Sequence, residues 1–170
     1  MISLGIESTA HTIGIGIVEK VENKFKILAN ENETYSNSGI HPRKAADFQS
    51  EKFGEVLKTA LDKAGIKIND IDIIAFSQGP GLGPCLKISC IAARTIAVKY
   101  NKPIVGVNHC VAHIEISKFF TKTKDPLVVY VSGGNTQIII KEKMKFKNNE
   151  KKEKKFYKVI GETLDISLGN

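Results

Sequence analysis

The feature that most limits what this chain can fold into is a plan that it uses twice. "LGIESTAHTIGIGIV", residues 4–18, and "VVYVSGGNTQIIIK", residues 128–141, each hold an apolar strand, a turn of Ser, Thr or Gly, and a second apolar strand. Apolar, β-branched runs flanking a short polar turn read as antiparallel strand pairs. Two of them in one chain point to two related lobes. The residues between decide the class. "KFKILANE" adds a third strand to the first unit, and Pro42 is placed to open a helix. From Lys44 to Ala64 the apolar positions Phe48, Phe53, Val56, Leu57, Ala60, Leu61 and Ala64 follow helical spacing, and Gly65 ends the run. "IDIIAFS" is a buried strand, Pro84 opens a helix reaching about Tyr100, and "KPIVGV" is a short strand.

The expectation is therefore an α/β protein. Residues 1–105 form a complete first lobe of three strands, helix, strand, helix and strand. Its sheet is mixed, with the helix near 44–64 on one side and the helix near 84–100 packed against it. Residues 106–170 supply a helix opening at His109, three strands ending with "FYKVIGE", and "TLDISLGN" as the start of another helix. A lobe of that size leaves one sheet face bare, which soluble monomers avoid. The second lobe thus reads as cut short.

Composition excludes several classes. No apolar run approaches the roughly 20 residues of a membrane span, and "MISLGIEST" lacks the pattern of an export or import signal. Cys85, Cys90 and Cys110 are odd in number and form no CxxC pair, which fits reduced thiols in the cytosol. The net charge of +7 resembles a nucleic-acid signature. However, "KEKMKFKNNEKKEKKFYK", residues 141–158, holds nine Lys against three Glu and so carries +6 of it. That run reads as a solvated loop, and the rest of the chain is close to neutral.

Several motifs carry chemistry with a structural alternative beside it. In "SGGN", residues 132–135, the paired glycines let backbone amides approach a phosphate, or simply make a tight hairpin turn. "GPGLGP" lies between strand and helix, where phosphate loops occur. It matches neither GxGxxG nor GxxxxGK[ST], and a tight crossing explains it as well. In "VGVNHCVAHIEISK" His109 and His113 stand four apart, on one face of a helix. That is ligand spacing, although histidine pairs are also structural. HExxH is absent, since Cys110 takes the place of its Glu. Tyr130 is either a third ligand or a buried aromatic with a polar tip.

Taken together, "FSQGPGLGP", "KPIVGVNHCVAHIE", "VVYVSGGNTQ" and "GETLDISLGN" resemble the universal tRNA threonylcarbamoyltransferase family, once described as O-sialoglycoprotein endopeptidases. "NHCVAHIE" with "YVSGGNT" is similar to the archaeal and eukaryotic cytosolic branch, the catalytic subunit of KEOPS. The resemblance implies an actin-like, Hsp70-like fold of two lobes around a cleft. It implies transfer of a threonylcarbamoyl group from threonylcarbamoyl-AMP to N6 of the adenosine beside the tRNA anticodon. It assigns one divalent metal ion, iron or zinc, to His109, His113 and Tyr130, and substrate binding to Tyr130, Val131, Ser132, Gly133 and Gly134. The partners it implies are tRNA and KEOPS-type subunits, including a small kinase or ATPase, and its compartments are the cytoplasm and the nucleus.

The chain also departs from the family. A further ligand aspartate and a substrate-binding aspartate lie beyond residue 170 in relatives. Phe48 and Gln49 stand where members of this branch usually have paired histidines. The Lys-rich insertion, residues 141–155, lengthens a hairpin that is short elsewhere. The expectation is an enzyme whose 170 residues alone do not complete the transfer. The alternative is a non-catalytic nucleotide- or metal-binding fragment, or a scaffold subunit.

Overall fold

The structure, a computed structural model, describes residues 1–22, 24–36, 41–132, 136–144 and 154–169. The chain divides into two compact units, Met1–His109 and Cys110–Asn170.

In the first unit, β1 (Ile2–Glu7), β2 (Thr12–Val21) and β3 (Lys24–Thr34) precede α1 (Pro42–Ala64). A short 3-10 turn then leads to β4 (Ile73–Gly79), α2 (Gly83–Lys99) and β5 (Ile104–Asn108). This is the element order read from the sequence. The sheet order is β3-β2-β1-β4-β5. β2 pairs antiparallel with β1 and β3, while β1, β4 and β5 run parallel, so the sheet is mixed as expected.

Alternation along the strands builds the core. Leu4 faces Ile17 and Ile6 faces Ile15 across β1 and β2, and these four with Ile13 are 0–2% exposed. Burial of such a side chain contributes about 1.5–3 kcal/mol, so this row alone supplies on the order of 10 kcal/mol before entropy is subtracted. Val56 and Ala60 of α1 and Ala93, Ile96 and Ala97 of α2 complete the same cluster. α1 lies against β2 and β3, and α2 lies against β4 and beside α1. α1 starts two residues earlier than the apolar spacing indicates, because Pro42 fits the first helical turn. It stops where Gly65 turns left-handed (φ 68°) and its amide donates to Asp62 O at 3.1 Å.

α3 (His109–Thr121) leads into the second unit, whose strands are β6 (Val128–Val131), β7 (Thr136–Met144) and β8 (Lys154–Glu162). They form an antiparallel sheet in the order β6-β7-β8. Val129, Val131, Ile138, Val159 and Ile160 are 39–58% exposed, so much of this sheet's apolar surface is uncovered. Glu115 and Lys118 of α3 reach β7 and β8. Tyr157 donates to Glu115, Lys118 Nζ donates to Tyr157 Oη at 3.2 Å, and Lys141 Nζ lies 3.7 Å from Glu115.

Two sequence expectations need correction here. The segment 141–158 is not loop throughout. β7 continues to Met144 and β8 begins at Lys154, with Lys141 opposite Tyr157 and Glu142 opposite Phe156. Cross-strand pairs offset the charge density: Lys158 lies 3.3 Å from Glu142, and Lys141 sits over the Tyr157 ring at 5.4 Å. The middle of the segment expected to be loop, residues 145–153, lies outside the described residues. The second correction is that residues 163–169 form bends and a turn instead of a helix. Two of their amides donate to Thr136. Thr163 N donates to its carbonyl at 2.9 Å, and Leu168 N donates to its hydroxyl at 3.0 Å. Bonds of this kind compete with the costly first turn of a helix.

Candidate functional site

Parallel strands end on the same edge of a sheet, and ligands in α/β proteins bind beyond their carboxyl ends. In the first unit that edge carries Glu7 at the end of β1, Ser77 near the end of β4 and His109 just after β5. The three side chains meet. Ser77 Oγ donates to Glu7 Oε2, and His109 Nδ1 lies 3.2 Å from the same oxygen. The Thr9 amide donates to Glu7 Oε1 at 2.7 Å, and Thr9 Oγ1 lies 3.4 Å from His109 Nδ1. Burial pushes the Glu7 carboxyl upward. Hydrogen bonds with His109, Ser77 and Thr9 outweigh it and hold the group down at about 2, so Glu7 is an anion.

The turn that carries Thr9 is fixed on every side. Ser8 is fully buried; its hydroxyl donates to Cys85 O at 2.7 Å and accepts from Ser89 N at 3.1 Å. Gln49 of α1, also fully buried, donates through Nε2 to Ala10 O at 2.9 Å and Thr12 O at 3.1 Å. "GPGLGP" supports the turn from below. Leu82 N donates to Thr9 O at 2.7 Å, and a Cβ on Gly81 would stand 2.6 Å from that oxygen. Of the two readings of this loop, the tight crossing is the one that accounts for its glycine here.

In the second unit His113 of α3 and Tyr130 of β6 are neighbours, with ring centroids 6.0 Å apart and planes tilted by 59°. Val131 is 51% exposed, Ser132 is partly buried, and Gly133 and Gly134 lie outside the described residues. α3 carries His109 and His113 at helical spacing, but His109 belongs to the first unit and His113 to the second. Of the expected site residues, the structure thus brings together His113 and Tyr130. It also places His109 with Glu7, Thr9 and Ser77.

Among the described residues no three His, Cys, Asp or Glu side chains gather into a metal-binding group. The candidate donors are two imidazoles and a phenol, nitrogen and oxygen groups of the kind that can ligate a metal ion. Sequence reasoning gave no role to Glu7 or Ser77, and marked Gln49 only as a departure from the family's paired histidines. The one local signal was a carboxylate at a strand end, beside a Ser/Thr turn.

The family model TsaD, tRNA N6-adenosine threonylcarbamoyltransferase, matches residues 26–170. A tRNA N6-adenosine threonylcarbamoyltransferase of Caldivirga maquilingensis is 54% identical over 173 residues, covering 100% of this chain and 48% of the relative. One from Thermococcus gammatolerans is 52% identical, again over 100% of this chain and 48% of the relative. A Methanocaldococcus jannaschii relative named "Probable bifunctional tRNA threonylcarbamoyladenosine biosynthesis protein" is 47% identical, with 100% of this chain and 29% of the relative covered. This chain thus spans about half the length of the curated transferases it matches. Among solved structures, YeaZ from Pseudomonas aeruginosa superposes with a TM-score of 0.60 at 12% identity, over 93% of this chain and 66% of that one. An Aquifex aeolicus PPX-GPPA enzyme gives 0.50 at 13% identity, over 99% and 52%. Both share the actin-like α/β fold expected from the motifs. The match over residues 26–170, with half of all positions identical to those transferases, places the chain in the tRNA N6-adenosine threonylcarbamoyltransferase family.

Proposed function

We propose that this chain provides the metal- and substrate-holding N-terminal part of a tRNA-modifying transferase. The reaction moves a threonylcarbamoyl group from threonylcarbamoyl-AMP to N6 of the adenosine beside the anticodon. The observation that carries the proposal is the 54% identity to the Caldivirga maquilingensis transferase across all of this chain. Residues 1–105 are the first actin-like lobe, and 106–170 are the linking helix and the start of the second. His109, His113 and Tyr130 hold one iron or zinc ion, which would supply Lewis-acid polarisation of the carbamoyl group. Tyr130, Val131, Ser132, Gly133 and Gly134 bind the acyl-adenylate, with backbone amides of the turn directed at its phosphate. The fixed β1–β2 turn holds its end of the site without rearrangement, which favours acyl transfer between positioned groups. The partners are tRNA and KEOPS-type subunits that include a small kinase or ATPase. The compartments are the cytoplasm and nucleus; no helix among the described residues is long and apolar enough to cross a membrane.

The test is a chimera in which this chain replaces the matching part of the Caldivirga maquilingensis transferase. It is supplied with metal, threonylcarbamoyl-AMP, substrate tRNA and partner subunits, and modified adenosine is measured. The expected result is turnover near that of the parent, lost by about 100-fold or more in His109→Ala. A folded chimera that binds metal and tRNA but transfers nothing, beside an active parent, would refute the proposal in favour of the non-catalytic fragment or scaffold.

A further inference from the structure

Glu7 has no role in the reading above, yet three elements converge on its carboxylate. The Thr9 amide comes from the turn, the Ser77 hydroxyl from β4 and the His109 ring from the head of α3. Ser77 is 7% exposed, the His109 side chain 21% and the Glu7 side chain 37%, so the contact is partly withdrawn from water. A carboxylate only accepts hydrogen bonds. The nitrogen facing it, His109 Nδ1 at 3.2 Å, must therefore carry the proton. A neutral imidazole has one N–H, so its lone pair then lies on Nε2.

We infer that Glu7 is a positioning residue for the cation site: it fixes His109 in the tautomer and ring orientation that present Nε2 to a metal ion. This rests on the reading of His109 as a ligand. Histidine ligands commonly hold such an outer carboxylate, and its loss typically lowers metal affinity 10–100-fold. Thr9 Oγ1, 3.4 Å from Nδ1, is a further polar neighbour of that nitrogen. A hydroxyl can donate or accept, so it does not select the tautomer by itself.

Glu7→Gln separates positioning from packing. The new side chain has one acceptor oxygen and one NH2 group. The Thr9 amide can only donate and so claims the oxygen, which turns the NH2 group towards Ser77 and His109. Ser77 can rotate to accept, and His109 accepts by moving its proton to Nε2. Shape is retained while the tautomer inverts.

The experiment titrates Zn2+ and Co2+ into the 170-residue chain against a competing chelator, for the wild type, Glu7→Gln and His109→Ala. The expected result is a 10–100-fold loss of Zn2+ affinity in Glu7→Gln, with a changed Co2+ visible spectrum and a metal-free melting temperature near that of the wild type. A variant that melts lower but holds Zn2+ within about twofold of the wild type overturns the inference, since Glu7 would then only tie elements together. Unchanged affinity in His109→Ala overturns the metal reading and this inference with it. Loss there, with full affinity in Glu7→Gln, overturns the inference alone. A second measurement needs no variant. Long-range proton–nitrogen NMR of the metal-free chain, at a pH where the His109 ring is neutral, should show the proton on Nδ1. Finding it on Nε2 overturns the inference even if every variant misfolds.

Discussion

Replacing Gln49 tests whether α1 holds the β1–β2 turn. The side chain is fully buried, and its Nε2 bridges Ala10 O and Thr12 O, on either side of His11. Its Oε1 is buried without a hydrogen-bond partner among the described residues, as is His11 Nδ1. Gln49→Ala removes two donated bonds and leaves two carbonyls without that donor. Each bond contributes about 1 kcal/mol net, and leaving two half-buried carbonyls without that donor adds to the loss while relief of the unpaired Oε1 returns part of it, so the net loss is about 2–3 kcal/mol. For a unit the size of Met1–His109, where 1 kcal/mol moves the midpoint by about 4 °C, melting should fall by about 8–12 °C. Gln49→Glu keeps the shape but turns an anion towards two carbonyl oxygens without a partner. At neutral pH it should be worse than alanine. Mild acid should restore part of the loss, because a protonated carboxyl donates one bond. Thermal unfolding of the full chain by circular dichroism reads all three. A Gln49→Ala midpoint within about 2 °C of wild type, or a Gln49→Glu midpoint above that of Gln49→Ala at neutral pH, would refute the anchoring argument.

The first unit was legible because its local and tertiary demands agree. Leu4, Ile6, Ile13, Ile15 and Ile17 alternate along the chain and are the buried row of the sheet. Pro42 and Gly65 bound α1 for reasons contained in those residues themselves. Strand order was not legible, since pairing β1 between β2 and β4 depends on contacts about 70 residues apart in sequence. The Lys-rich hairpin was misread for a related reason. Composition registers nine lysines, but not that Glu142, Phe156 and Tyr157 lie across the ladder from its partners. "TLDISLGN" carries helix-opening residues, yet the Thr136–Thr163 contact that redirects them is invisible locally.

The candidate ligands came from motifs. "NHCVAH" and "YVSGG" pointed to His109, His113 and Tyr130, of which His113 and Tyr130 have ring centroids 6.0 Å apart. The support beneath them was not legible as motif. Glu7 meets His109 across 102 positions, and Gln49 meets Ala10 across 39. Such pairs follow from which strands lie side by side. "GPGLGP" is instructive because its role came from one distance, Gly81 against Thr9, that no periodicity encodes.

Three further outcomes follow from the same geometry. Gly81→Ala places a Cβ 2.6 Å from Thr9 O and 2.8 Å from Thr9 Cβ, so something in the backbone must shift. It should destabilise by about 1–3 kcal/mol in chemical denaturation, and an unchanged midpoint would show that the loop and turn separate freely. Tyr157→Phe keeps the ring under Lys118 and Lys141 but removes the hydroxyl that serves Glu115 and Lys118. A loss of about 1 kcal/mol is expected, with coupling to Glu115→Gln in a double-mutant cycle; additive losses would contradict the network. The last concerns acid. Glu7 has its folded-state pKa lowered from 4.5 to about 2, so the stability it contributes is complete above its unfolded value and is lost as pH falls between the two. Its side chain is 37% exposed, so solvent screens part of the effect and the slope is the better measure than its size. With chelator present, Glu7→Gln should flatten the decline of wild-type stability in that window. Parallel curves for the two chains across it would show that the carboxylate gains nothing from Ser77, Thr9 and His109 in the folded state.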